Sequence, residues 1–367
     1  MRKTNKNANK RLPKWAKFLF LIAIISGIVH FIGTKNSAFA EWLTQNVGFL
    51  IRRALAYLTS GISVSLAEIL IILSPLILVI VLVMASRRKG FCSKMSFLAC
   101  LLAVISIFYS GYVYTLGIGY HRTSLSSRIQ LGDVTVNEDN LYQTLLILKN
   151  ECESLIPEIE YKASGSSVSD ISFDEICDEV LVGYERLDKD FPSLDIKTFD
   201  SRAKAVKFSK VMTKLDLLGV YTYFTGESNV NVHYPDYNIP FTVAHELAHQ
   251  RGISRENEAN FVAFLVCIRS ENAYVRYSGY MNMFEYVAAA LARTNRELRN
   301  EVFRSLDEKM YGEMRAYSEF YQENKNEILG KLSEFVNDNY LKAQGTEGVV
   351  SYGLVVELCV AYYSNRG

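Results

Sequence analysis

The chain has 367 residues, 49% of them hydrophobic and 22% charged, and its formal net charge is +1. That near-neutrality is two opposite parts cancelling: the first 118 residues hold 14 Lys and Arg against two acids, Glu41 and Glu68, while the remainder holds 26 against 37. The basic part is also the apolar part, which points to a bilayer; the acidic part has no basic stripe to follow phosphates, which excludes nucleic acid as a partner.

Three apolar runs are long enough to cross a hydrocarbon layer of about 30 Å. They lie at about 15–33 (WAKFLFLIAIISGIVHFIG), 62–84 (ISVSLAEILIILSPLILVIVLVM) and 96–118 (SFLACLLAVISIFYSGYVYTLGI). The first follows a basic stretch and precedes NSAFA, as a signal peptide would, but its apolar run is long and reads as an anchor. Seven Lys and Arg precede it, and Arg87, Arg88, Lys89 and Lys94 lie between the second and third runs. Both clusters belong on the cytoplasmic side, so three crossings place everything after residue 118 outside.

Between the first two runs, about 39–60 is too polar to cross. Trp42, Phe49, Leu50, Leu55 and Tyr57, interleaved with Arg52 and Arg53, predict a helix lying at the bilayer surface. Glu68, just inside the second run, needs a partner or water. The outer part opens with an amphipathic stretch that starts near Asn137. After further helical stretches to about 216, GVYTYFTGESNVNVHYPDYNIP predicts short strands or a hairpin, and helical patterns resume to the C-terminus. Six cysteines show no ligand spacing; Cys152 and Cys177 read as packed thiols or a pair.

The chemistry is concentrated in PFTVAHELAHQRGISRENEANF, residues 240–261. On a helix, His245 and His249 share one face and can hold one metal ion, while Glu246 is placed to act on a metal-bound water as general base. Small and apolar neighbours (Val243, Ala244, Leu247, Ala248) predict a buried helix; Arg251 alone reads as solvated. Gly252 can end this helix in a left-handed turn and Ser254 can cap the next. A catalytic zinc needs a third protein ligand, and the residue in reach is Glu256, with Glu258 the competing carboxylate. Asn260, one turn on, can orient a liganding imidazole. Hydrolysis also needs a donor for the developing oxyanion, for which Arg276, Tyr277, Tyr280 and Tyr352 are available. His233 reads as structural or substrate-side, and His30 and His121 as structural.

The series GESNVN, PFTVAHELAHQRGISRENEANF, RYSGY and VVSYGLVVEL resembles the bacterial family called domain of unknown function 3810. That resemblance implies N-terminal membrane spans and a zincin-like peptidase domain, but no substrate. More distantly, Glu256-x-x-Ala259-Asn260 is similar to the ExxAD element of gluzincin membrane peptidases, with Asn in place of Asp. The expectation is therefore a membrane domain (1–118) followed by a mostly helical α+β, zincin-like domain (119–367) with a small sheet before the metal helix. It would be a multi-pass protein of the cytoplasmic membrane, with one zinc ion and an extracytoplasmic peptide or protein substrate. A non-catalytic binding module of the same shape, or a hydrolase of a non-peptide envelope component, are the alternatives.

Overall fold

The computed structural model describes residues 12–89, 91–132, 134–197 and 199–364, with the backbone alone at 91, 92, 349, 351 and 352. It is mostly helical. Three helices are long and apolar enough to cross a membrane: α1 (Lys14–Lys35), α4 (Leu66–Ser86) and α5 (Phe91–Thr115). α1 and α5 lie side by side, with Ser106 Oγ 3.4 Å from the Leu19 carbonyl. α4 keeps its apolar side chains exposed along its length. The apolar runs placed all three, with ends up to five residues off: α4 starts only after its Ser65 cap, and the last residues of the third run leave α5 for a 3-10 turn.

The surface helix expected over 39–60 is two helices, α2 (Ser37–Leu43) and α3 (Phe49–Ser60), joined through a π-helical turn at Thr44–Gly48. Trp42, Leu50 and Tyr57 are exposed, but Arg52 is fully buried, donating to the carbonyls of Thr44 (3.0 Å) and Thr115 (3.2 Å). A charge read as interfacial instead fastens this segment to the end of α5. Glu68 finds its partners in the backbone N–H groups of Lys207 (3.2 Å) and Phe208 (2.7 Å).

The remainder builds one large core. After α6 (Leu125–Arg128) come α7 (Glu138–Leu155) and α8 (Phe173–Asp190), each opened by a capping box from Asn137 or Ser172. Between them β1 (Glu160–Tyr161) and β2 (Ser167–Val168) pair antiparallel. Beyond α8, β3 (Lys204–Ala205), α9 (Ser209–Lys214), β4 (Gly219–Thr222) and β5 (Glu227–Val230) follow. The sheet has the order β3-β5-β4, with β4 and β5 forming the expected hairpin and β3 adding a parallel strand too short to leave a period in the sequence.

Helices α10 (Asn238–Gln250), α11 (Glu256–Cys267) and α12 (Ala273–Thr294) pack on that sheet and on α7 and α8. Every residue of α11 except Asn257 is buried, as befits a helix apolar on nearly all sides. α13 (Arg296–Arg304), α14 (Glu308–Asn324), α15 (Glu327–Ala343) and α16 (Val355–Ser364) complete the chain. Cys152 and Cys177 are buried free thiols.

Two features join the apolar helices to this core. On β5, the buried Glu227 accepts the first N–H groups of α4, from Leu66 and Ala67 at 3.0 Å each, and pairs with Lys204 at 2.6 Å. It thereby satisfies helix donors that would otherwise be orphaned. The turn 251–255 is held by the segment just past α5. Ser254 Oγ donates to the Leu116 carbonyl (2.7 Å), and Arg255 donates to the carbonyls of Tyr120 (3.2 Å) and Arg122 (2.7 Å).

Candidate metal centre

α10 is fixed from three sides. Ser228 on β5 donates to the Glu246 carbonyl (2.9 Å), Tyr184 on α8 to the Ala244 carbonyl (2.6 Å), and Gln250 to the Gly226 carbonyl at the hairpin turn (2.7 Å). Pro240 sits in the first turn, where its missing N–H costs nothing. The helix ends at Gly252, whose φ of +92° allows Ile253 N–H to reach back to the Ala248 carbonyl at 3.0 Å. Ser254 does not cap α11. Arg255 occupies that position without a side-chain cap, because the Ser254 hydroxyl is taken by the Leu116 carbonyl. Arg251 is likewise not solvated: it is buried, with its guanidinium 4.3 Å from the Tyr184 ring centre and 5.2 Å from that of Phe199.

The sharp turn brings the start of α11 against the two histidines. His245 Nε2 and His249 Nε2 are 3.1 Å apart, and Glu256 Oε2 is 3.2 Å from the first and 3.4 Å from the second. Ligands about 2.0–2.2 Å from a tetrahedral zinc stand about 3.3 Å from one another, so the three spacings match the edges of such a site. His249 Nδ1 lies 2.7 Å from the Ile253 carbonyl, which assigns the ring proton to Nδ1 and leaves Nε2 free to ligate. Among the described residues this is the one cluster of His, Cys, Asp and Glu able to hold an ion.

The electrostatics ask for a cation here. Burial works against an imidazolium at His249, yet the Glu256 carboxylate lifts it to about 9. Burial works against a carboxylate at Glu256, yet the two imidazoles hold it well below its ordinary range. Glu258 is occupied elsewhere, accepting the Leu125 N–H (2.9 Å) and pairing with Arg255 (2.8 Å) and Arg128 (3.4 Å).

Glu246 lies beside this cluster on the wall of a cavity of about 640 Å³. Burial pushes its carboxyl up, opposed by the two imidazoles, and its Oε2 has no hydrogen-bond partner. Against it runs β4, an edge strand: a Cβ built on Gly219 would stand 2.5 Å from Glu246 Oε1. A buried acceptor with nothing to accept from, next to three convergent ligand atoms, is placed to receive a proton.

Other sequence candidates fall elsewhere. Tyr277 is buried against Tyr161 and Tyr274, Tyr280 packs on Phe264, and Arg276 donates to the carbonyls of Ser270 and Glu271; none lines the cavity. The Tyr352 side chain lies outside the described residues. Asn260 lines the cavity but orients neither imidazole, its Nδ2 pointing to the Tyr286 hydroxyl at 3.2 Å. His233 meets Thr213 (3.1 Å) and the Phe320 ring, and His30 meets His121 (3.4 Å).

Tyr286 is the cavity residue that sequence reasoning missed. It lines the cavity, and burial and Glu256 push its hydroxyl up to about 12, keeping it a donor. The available signal was the polar row Ser278, Asn282, Tyr286, spaced by four along α12. The cavity's far side is formed by Tyr321 and the polar face of α15, including Gly330, Glu334 and Asn337.

No curated protein and no solved structure matches the chain. A family model does match, over residues 44–360, from the π-turn through the metal helices to α16. The chain therefore belongs to the family described as protein of unknown function (DUF3810).

Proposed function

We propose that this protein is a membrane-anchored, zinc-dependent peptidase with a zincin-like catalytic domain facing away from the cytoplasm. The observation that carries the reading is the convergence of His245, His249 and Glu256 at tetrahedral spacing beside Glu246, one of whose carboxylate oxygens, Oε2, has no partner. Those three side chains would hold the ion. When bound, zinc supplies Lewis-acid polarisation of a carbonyl and acidifies a water. Glu246 takes the proton from the water that attacks the scissile carbonyl carbon and delivers it to the leaving amine as the C–N bond breaks. The Tyr286 hydroxyl, steadied by Asn260, donates to the oxyanion. The basic clusters before α1 and between α4 and α5 support the orientation.

The test is metal analysis of the full chain purified in detergent, with an untargeted peptide-cleavage profile. Zinc near one equivalent and cleavage abolished by Glu246→Gln with the metal retained are the expected results. Zinc without any cleavage would favour a non-catalytic binding module, and a chain that takes up no zinc would overturn the reading.

A further inference from the structure

α15 is two-faced in an unusual way. Its polar face, with Gly330, Glu334 and Asn337, roofs the cavity that contains Glu246. Its opposite face carries Ile328, Leu332, Phe335 and Val336 at helical spacing, and these are 81%, 55%, 66% and 59% exposed. Four large apolar side chains in one uncovered row on a folded domain mark a contact surface.

The neighbours of this helix indicate what lies against it. α15 is fastened by Tyr340 to the outward end of the third apolar helix, with its ring 6.2 Å from Tyr112 on α5 and 6.3 Å from Tyr120 just beyond. The hairpin turn reaches the same place: Tyr223 packs on Tyr112 at 5.5 Å, and Phe224 on Phe108, a turn deeper, at 5.6 Å. Val336, the last residue of the row, stands one turn before Tyr340, the ring that meets α5. Lys325 and Lys331 line the cavity and Lys342 pairs with Asp338 at 2.7 Å, so the outer row offers an apolar contact and not a basic one. The other rim of the cavity repeats the arrangement. Residues 213–219 line it, and just before them Phe208 and Val211 are exposed among Lys207, Lys210 and Lys214. Glu68, in the first turn of α4, holds that segment through the N–H groups of Lys207 and Phe208.

We infer that the outer face of α15 seats in the interfacial layer of the bilayer, so that the cleft it roofs is served from the membrane surface and takes a polypeptide tethered to that membrane. The substrate class rests on the proposed peptidase reading; the lipid contact does not. Both rims of the cleft are bound to the ends of apolar helices, and both present exposed apolar side chains. A chain held at the bilayer surface meets the cleft at high effective concentration, whereas a freely diffusing peptide must find it under α15.

The lipid contact is tested by fluorescence in the full chain, reconstituted in vesicles of phosphatidylglycerol and phosphatidylcholine. Trp15 and Trp42, the two native tryptophans, are replaced by Phe. Phe335→Trp in that background is expected to lose about half its emission or more when the phosphatidylcholine is brominated, with Ile328→Trp behaving alike. Tyr311→Trp, on the exposed surface of α14, is expected to keep its emission. Absence of quenching at both 335 and 328 overturns the inference, including the case in which these positions instead cross-link two copies of the chain. This arm needs neither metal nor turnover. The substrate class is tested by comparing one peptide with and without an acyl anchor. The parent should prefer the anchored form by about tenfold in kcat/KM, and Leu332→Glu with Phe335→Glu should remove that preference while leaving zinc content and cleavage of the free peptide unchanged. Equal rates on both peptides in the parent, or cleavage of neither, overturns the substrate class while the quenching result stands.

Discussion

Replacing Gly219 by Ala would place one methyl group against the proposed base. The added carbon would lie 2.5 Å from Glu246 Oε1, 2.7 Å from Cγ and 2.8 Å from Cδ, where ordinary contact begins at 3.4 Å. Gly219 has no left-handed backbone to defend, so the substitution acts through this contact. The strand cannot retreat, because Gly219 is paired in register with Val230. The carboxylate must move by roughly 0.6–0.9 Å, away from the position it holds beside the three convergent side chains. A misplacement of about 1 Å costs on the order of 10²-fold in rate, or about 2.7 kcal/mol of transition-state stabilisation. Overpacking of this kind also lowers stability by about 1–3 kcal/mol. Gly219→Ala should therefore lose about a hundredfold in kcat/KM while binding zinc as the parent does. Combining it with Glu246→Asp, which withdraws the carboxylate by one methylene, should recover unfolding stability but not activity. The assays are zinc content, peptide hydrolysis and the thermal midpoint of the parent, Gly219→Ala, Glu246→Asp and the double variant. A Gly219→Ala protein as active as the parent would refute both the position assigned to Glu246 and its role.

The two neighbouring carboxylates should separate cleanly. Glu256→Gln should lose zinc under mild chelation, whereas Glu258→Gln, which removes the negative charge that faces Arg255 and Arg128, should keep the metal and lose on the order of 3 kcal/mol of stability; the reverse pattern would exchange their roles. Glu313 is fully buried, with one oxygen accepting the Ser167 N–H at 2.9 Å and the other without a partner, and burial pushes its carboxyl up to about 7 from 4.5. The folded state then holds this proton more tightly than the unfolded chain, so its contribution is greatest below about pH 4.5 and falls as pH rises to about 7, by on the order of 3 kcal/mol. Glu313→Gln should match the parent near pH 5 and exceed it near pH 8, and parallel thermal-midpoint profiles for the two would dismiss the argument. A reporter fused at the C-terminus should be active only outside the cytoplasmic membrane and one fused near residue 90 only inside; a cytoplasmic C-terminus would reverse the proposed topology.

Residues that act through local spacing are legible in the sequence itself. Three apolar runs gave three helices, four-residue spacing put His245 and His249 on one face, and Gly252 marked the turn that returns the chain to Glu256. What could not be read depends on contacts distant in sequence. Arg52 and Arg251 look solvated in any local window, yet one is buried against carbonyls 8 and 63 residues away and the other against the rings of Tyr184 and Phe199. Ser254 has the chemistry of a cap, but the carbonyl of Leu116, 138 residues earlier, claims its hydroxyl. With 23 tyrosines in the chain, type alone could not single out Tyr286; only the packing of α12 across α10 and α11 brings it to the cavity. Glu256 was within reach of inference because the tight turn leaves little choice of direction.

The turn 251–255 also couples the three convergent side chains to the apolar helices. Its hydroxyl and guanidinium donors end on carbonyls of Leu116, Tyr120 and Arg122, and Gly252 has room only for hydrogen where the Arg52 guanidinium passes. Those acceptors belong to chain made more than a hundred residues before the turn itself. The angle at which α10 and α11 meet, and with it the alignment of His245, His249 and Glu256, therefore depends on where the segment after the third apolar helix is seated. A change at Leu116–Arg122 would reach the three side chains through the hydrogen bonds of one short turn, without touching any of them.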